Sequence, residues 1–246
     1  MLAGKTMHNA IDRPEEVAGA LERRVIDCFP AIALFLFAAY HCLRDGIASV
    51  IGMYGVVVYG LTGIAYLLLV VYWFRNGLKL SMRVILPPVT VFAIFSFYIA
   101  TRDVGSFIFE DYALPQAINP MGGMIAFFFL AAQNDAKRAD AALKFACIIM
   151  TVYLQTSLSS VMHATTQYGY DMGLGYDAMF FALLALHFIV DNTDGLNLPA
   201  AVLWLACVAS NVALILSYGS RGPLLGIITF AALRFLVFVF GSKVSI

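Results

Sequence analysis

Charge is what this sequence has least of. Only 12% of its 246 residues are Asp, Glu, Lys or Arg, and 62% are apolar. Soluble domains average about 25% charged residues, so a soluble domain of this length is excluded. Lys and Arg balance Asp and Glu at a net charge of zero. There is no basic patch of the kind a nucleic acid demands, so nucleic acid is excluded as a partner. Cysteine is sparse too. Cys28, Cys42, Cys147 and Cys207 are far apart, form no C-x-x-C pair and lie in or beside apolar runs. There a thiol acts as a small hydrophobe, and neither a disulfide framework nor a zinc site is indicated. The first 28 residues lack the apolar core of a cleaved signal peptide, so the first apolar span is expected to serve as its own insertion signal. No repeat of fixed short period and no separate soluble domain is present.

What the chain has in abundance is long apolar runs. A helix needs about 20 apolar residues to cross a bilayer, and several runs approach or exceed that. The expected fold is all-α, a polytopic transmembrane bundle of about eight spans. Residues 1–28 form a polar N-terminal segment, expected to be cytoplasmic, and residues 29–246 the transmembrane domain. The expected spans run about Phe29 to Cys42, Ile47 to Phe74, Val84 to Ala100, Pro120 to Ala132, Ala141 to Met162, Ala178 to Val190, Leu198 to Leu216 and Gly222 to Gly241. The fourth is short. Were it re-entrant, the count would be seven and everything after it would change sides. His41, Arg44 and Asp45 are expected in a turn after the first span. A loop rich in Tyr and Gly is expected from Tyr168 to Asp177.

Lys and Arg in the loops set the orientation. With the N-terminus inside, Arg23, Arg24, Arg75, Lys79, Arg83, Lys137, Arg138 and Lys144 fall inside. Arg44, Arg102 and Arg221 are then left outside. The bias is strong for the first five spans and says little after them.

The most distinctive polar stretch is Ser217-Tyr218-Gly219-Ser220-Arg221-Gly222-Pro223, between two apolar runs. Pro223 suits the first turn of a helix and Ser220 suits its cap. Free backbone N–H groups with a guanidinium beside them make an anion site suited to phosphate. Gly219 and Gly222 would admit a bulky anionic group. The rival reading is an interfacial Arg reaching lipid headgroups.

Extended by Leu224-Leu225, this stretch resembles the S-x-x-S-R-G-x-L-L segment of bacterial O-antigen and capsule repeat-unit polymerases and the related O-antigen ligases. The layout over about residues 140 to 240 is also similar. The resemblance implies an enzyme of the bacterial inner membrane, needing neither metal nor cofactor. It would pass a glycan from undecaprenyl diphosphate to a hydroxyl of an acceptor glycan or lipid, at the outer face and among other polysaccharide-assembly proteins. Arg221 would stabilise the departing diphosphate. The residues themselves offer Asp171 and His163 as candidate bases. Ser220, Gly222, Asp177 and Arg102 are candidate substrate-binding groups. Asp171 and Asp177 equally suit turns in a Gly-rich loop, and His163 a helix end. The chain departs from the family in two ways: the loop before the middle spans carries no second Arg, and the chain stops at Ile246, as if it were the N-terminal part only.

Two other readings compete. A permease for a lipid-linked or hydrophobic solute would use His187, Arg234 and Asp177 within the membrane. A non-catalytic membrane partner would need none of them.

Overall fold

The computed structural model describes residues 22–101, 125–133, 135–168, 172–190, 197–217 and 221–241. Every regular element among them is an α-helix. The chain divides into two compact units, with the boundary between Ala142 and Leu143.

In the first unit, a helical turn at residues 22–26 leads into α1, Phe29–Ala38. Pro30 stands in the first turn of α1, where a missing N–H costs nothing. The Ala39 N–H still donates to the Phe35 carbonyl at 2.8 Å, and α2, Tyr40–Ile51, begins at once. The segments Glu22–Ala38 and Tyr40–Ile51 meet at 76°. His41, Arg44 and Asp45 therefore lie on a helix, not in the expected turn. The mixed polarity of α2 hid its helical character.

Gly52 ends α2 in the left-handed region, φ +73°, donating to the Ala48 carbonyl at 2.8 Å. A side chain there would be strained, which is why glycine closes so many helices. The expected second span thus starts at Tyr54, not Ile47. It is α3, Tyr54–Asn76, about 35 Å long at 1.5 Å per residue. Gly77, φ +77°, closes it, and Arg75 in its last turn suits the helix dipole.

Helix α4, Met82–Ala100, contains Pro87 and Pro88. They withdraw the donors that the Arg83 and Val84 carbonyls would otherwise meet. Helix α5, Ile125–Ala131, packs on α1 and α4. Its Phe129 is buried, with its ring 5.0 Å from that of Phe37 and 5.3 Å from that of Tyr66. The Gln133 side-chain amide donates to the carbonyls of Phe129 at 2.6 Å and Pro30 at 2.9 Å, tying α5 to α1. The small buried residues Ala33, Ala38 and Ala65 let α1 and α3 approach closely.

The second unit contains most of α6, Ala136–Tyr168, then α7, Met172–Val190, α8, Leu198–Ser217, and α9, Arg221–Gly241. Helices α6 and α7 run antiparallel, since Lys144 lies by Phe188 and Cys147 by Phe181. Thr151 of α6 pairs with Asn211 of α8, a separation of 60 residues, and Cys147 meets Cys207 at that same separation. Helices α6 and α8 therefore run parallel. Helices α7 and α9 are also parallel, since Tyr176 faces Gly222 and Met179 faces Gly226. These two glycines, four residues apart, form the small-residue notch that lets membrane helices interlock.

Among the described residues, three helical stretches are long and apolar enough to cross a membrane: Tyr54–Asn76, Ala136–Thr156 and Leu198–Ser217. The bent pair of α1 and α2 makes a fourth if taken as one broken span. Much of their apolar surface is exposed, as at Tyr59, Phe74, Leu198 and Leu216. A hydrocarbon solvent accounts for such surface; water does not.

Candidate functional site

The alternating directions gather four helix ends at one end of the second unit: the C-terminal turns of α6 and α8 and the N-terminal turns of α7 and α9. His163 belongs to the last turns of α6. Asp177 stands in the second turn of α7, and Arg221 is the first residue of α9. The fold therefore brings His163, Asp177, Arg221 and Gly222 to one end, though they span nearly sixty residues of sequence. Asp171, Ser220 and Arg102 lie outside the described residues.

Asp177 was expected in a loop. It is helical because α7 starts at Met172 and runs through the Gly-rich stretch. Gly173 and Gly175 weaken a helix by roughly 1 kcal/mol each relative to alanine, but the apolar run behind them carries it.

Arg221 is exposed, and Pro223 behind it is buried in the first turn, where a helix needs no donor. A cation at a helix N-terminus opposes the macrodipole by about 0.3–1 kcal/mol, so Arg221 does not serve the stability of α9. Gly222 has a packing role: a Cβ on it would stand 3.0 Å from the Tyr176 hydroxyl oxygen. The close approach read from sequence as space for a ligand is thus made by a neighbouring helix. Tyr176, itself half exposed, supplies a phenol at the same lip. It is the group that sequence reasoning passed over, and only the α7–α9 register reveals it.

The interior beneath this end is polar along one seam. Asn211 is fully buried and donates to the Thr151 hydroxyl at 2.9 Å and to the Cys207 carbonyl at 3.0 Å. Its own amide oxygen has no partner among the described residues. Gln155 donates to the Ser210 carbonyl at 3.0 Å, and the Cys147 thiol to the Phe181 carbonyl at 3.6 Å. Cys147, Thr151 and Gln155 recur every four residues, as do Cys207 and Asn211. That spacing was the available sequence signal. The seam joins α6 to α8 through interhelical hydrogen bonds, a common device where no water competes.

At the opposite end, Arg234 of α9 reaches the His187 ring of α7 at 3.4 Å and lies 5.7 Å from the Phe230 ring. Lys144 lies 5.4 Å from the ring of Phe188. No cluster of three or more metal-ligating side chains occurs among the described residues. Compared with protein-family models, curated proteins and solved structures, the chain matches none of them.

Proposed function

We propose that the chain is a multi-pass membrane glycosyl-transfer protein of polysaccharide assembly, resembling O-antigen and capsule polymerases and ligases. In this reading it crosses the bacterial inner membrane about eight times with its N-terminus inside. The Arg221 end then faces outward. The donor is a glycan on undecaprenyl diphosphate and the acceptor a hydroxyl of a second glycan or a lipid. The acceptor oxygen forms a bond to the anomeric carbon as the bond to diphosphate breaks. Arg221 takes up the charge on the leaving diphosphate. The hydroxyl proton goes to a base, for which Asp177, Asp171 and His163 are the candidates. Ser220 and Arg102 would assist in holding the substrate.

One observation carries the reading: an exposed Arg stands at the first position of α9, against the helix dipole, and the next residue, Gly222, packs against the Tyr176 phenol. An arginine placed at a cost to the helix suits an anionic ligand. In cells that assemble such a polymer, Arg221→Ala and Arg221→Lys should both abolish product while the protein still inserts. Normal product from Arg221→Ala would end the proposal.

The His187–Arg234 contact between α7 and α9 favours a second reading, translocation of a lipid-linked solute. Flipping into vesicles that depends on Arg234 and is indifferent to Arg221 would select it.

A further inference from the structure

The first unit has a half-open cavity of about 160 Å³ where helix ends converge. Asp27 reaches it from the turn before α1, Tyr72 from the last turns of α3, and Gln133, Asp135 and Arg138 from the junction of α5 and α6. Its chemistry is lopsided. Asp27 and Asp135 contribute carboxylates. The Gln133 amide nitrogen is taken by the Pro30 and Phe129 carbonyls, which leaves its oxygen as the acceptor. With Asp135 paired to Arg138, Asp27 leaves the lining one net negative charge, which suits a donor-rich cation.

Beside these acceptors stands one guanidinium. Arg138 spends its Nε on Asp135 at 3.1 Å, and with its side chain 37% exposed it keeps further N–H groups for an anion. Asp135 also accepts from the backbone N–H groups of Lys137 and Arg138, so its position is fixed as the cap of α6. Arg75, one turn beyond Tyr72, is paired with Glu22 at 2.6 Å, so that pair adds no net charge at this end of α3.

We propose that this cavity binds the headgroup of an ethanolamine phospholipid. The primary ammonium donates its three N–H groups to Asp27, Asp135 and the Gln133 oxygen, and the phosphate accepts from Arg138. A water molecule occupies about 30 Å³, so the cavity has room for a two-carbon amine arm. A lipid is the source proposed because the lining residues stand at the ends of the apolar stretches Tyr54–Asn76 and Ala136–Thr156, where headgroups would lie if these stretches cross a membrane.

The test is a lipid titration of the purified chain, carrying Trp204→Phe, in non-ionic detergent, followed by the fluorescence of Trp73, which adjoins Tyr72. Phosphatidylethanolamine should bind about tenfold more tightly than phosphatidylcholine, whose quaternary nitrogen has no N–H to donate, one charge-assisted bond being worth about that factor. Asp27→Ala should erase the preference. Arg138→Gln should weaken both lipids and leave the preference standing, since both carry phosphate. Equal binding of the two lipids by the Trp204→Phe chain overturns the proposal without recourse to any further variant. Phosphatidylglycerol binding as tightly as phosphatidylethanolamine also overturns it, pointing to an anion surface. Displacement of the lipid by an equal concentration of free phosphoethanolamine overturns the lipid source.

Discussion

Replacing Asn211 by leucine should leave the second unit as stable as before or more so. The side chain is fully buried, and its two hydrogen bonds, to Thr151 and to the Cys207 carbonyl, are lost in Asn211→Leu. Only the Thr151 bond crosses between helices, and such bonds within membranes average about 0.6 kcal/mol; the bond to Cys207, four residues back on α8, is local and worth about as little. The same change removes a buried amide oxygen that has no partner among the described residues, and such a group costs roughly 1–3 kcal/mol. The balance lies between neutral and about 2 kcal/mol in favour of leucine. Asn211→Asp should do the opposite, since a carboxylate there meets the roughly 2.5–3.5 kcal/mol cost of a charge in mid-membrane. Trp204 of α8 is buried and lies 4.8 Å from the Phe188 ring, so its fluorescence reports on this packing. A Trp73→Phe background isolates it, and unfolding can be followed by titrating denaturing detergent into mild detergent. A loss of more than about 1 kcal/mol in Asn211→Leu would show that the seam is worth far more than membrane hydrogen bonds elsewhere, and the reasoning would fail.

Other consequences follow from the helix contacts. Gly226→Val should destabilise the second unit by about 1–3 kcal/mol, the cost of overpacking, because Met179 already fills the space a side chain would enter; the same unfolding assay reads it. Gly222→Ala should be close to neutral. The Tyr176 hydroxyl, 3.0 Å from the new methyl, has to yield slightly, while alanine gains up to about 1 kcal/mol in helix propensity; a loss above 2 kcal/mol would mean that Tyr176 is rigidly held. Arg75→Gln should change stability by less than about 1 kcal/mol, because the Arg75 and Glu22 side chains are 57% and 54% exposed.

The helical class was legible in composition alone, because scarcity of charge and long apolar runs leave few other folds. The last two helices were legible nearly to the residue. Leu198–Ser217 and Arg221–Gly241 are bounded by polar residues and, at Pro223, by a helix-starting signal. Where polarity was mixed, reading failed. Helix α2 carries Arg44, Asp45 and Gly46 and looked like a turn, and the Gly-rich start of α7 looked like a loop. In both, the segment is helical against its local composition. Of the candidate site, Arg221 stood out because a lone cation at a span boundary is visible in one dimension. The approach of Tyr176 to Gly222 and the pairing of Thr151 with Asn211 were not visible. Each depends on the register between two helices, which no local spacing states.

The measurement closest to the central proposal is glycan transfer by the purified chain in liposomes. The substrates would be a defined glycan on undecaprenyl diphosphate and a soluble acceptor. The unaltered chain should form the transferred product without added metal, and Arg221→Ala should form about a hundredfold to a thousandfold less, the usual cost of losing one charge-stabilising donor. Equal rates for Arg221→Ala and the unaltered chain would contradict the account.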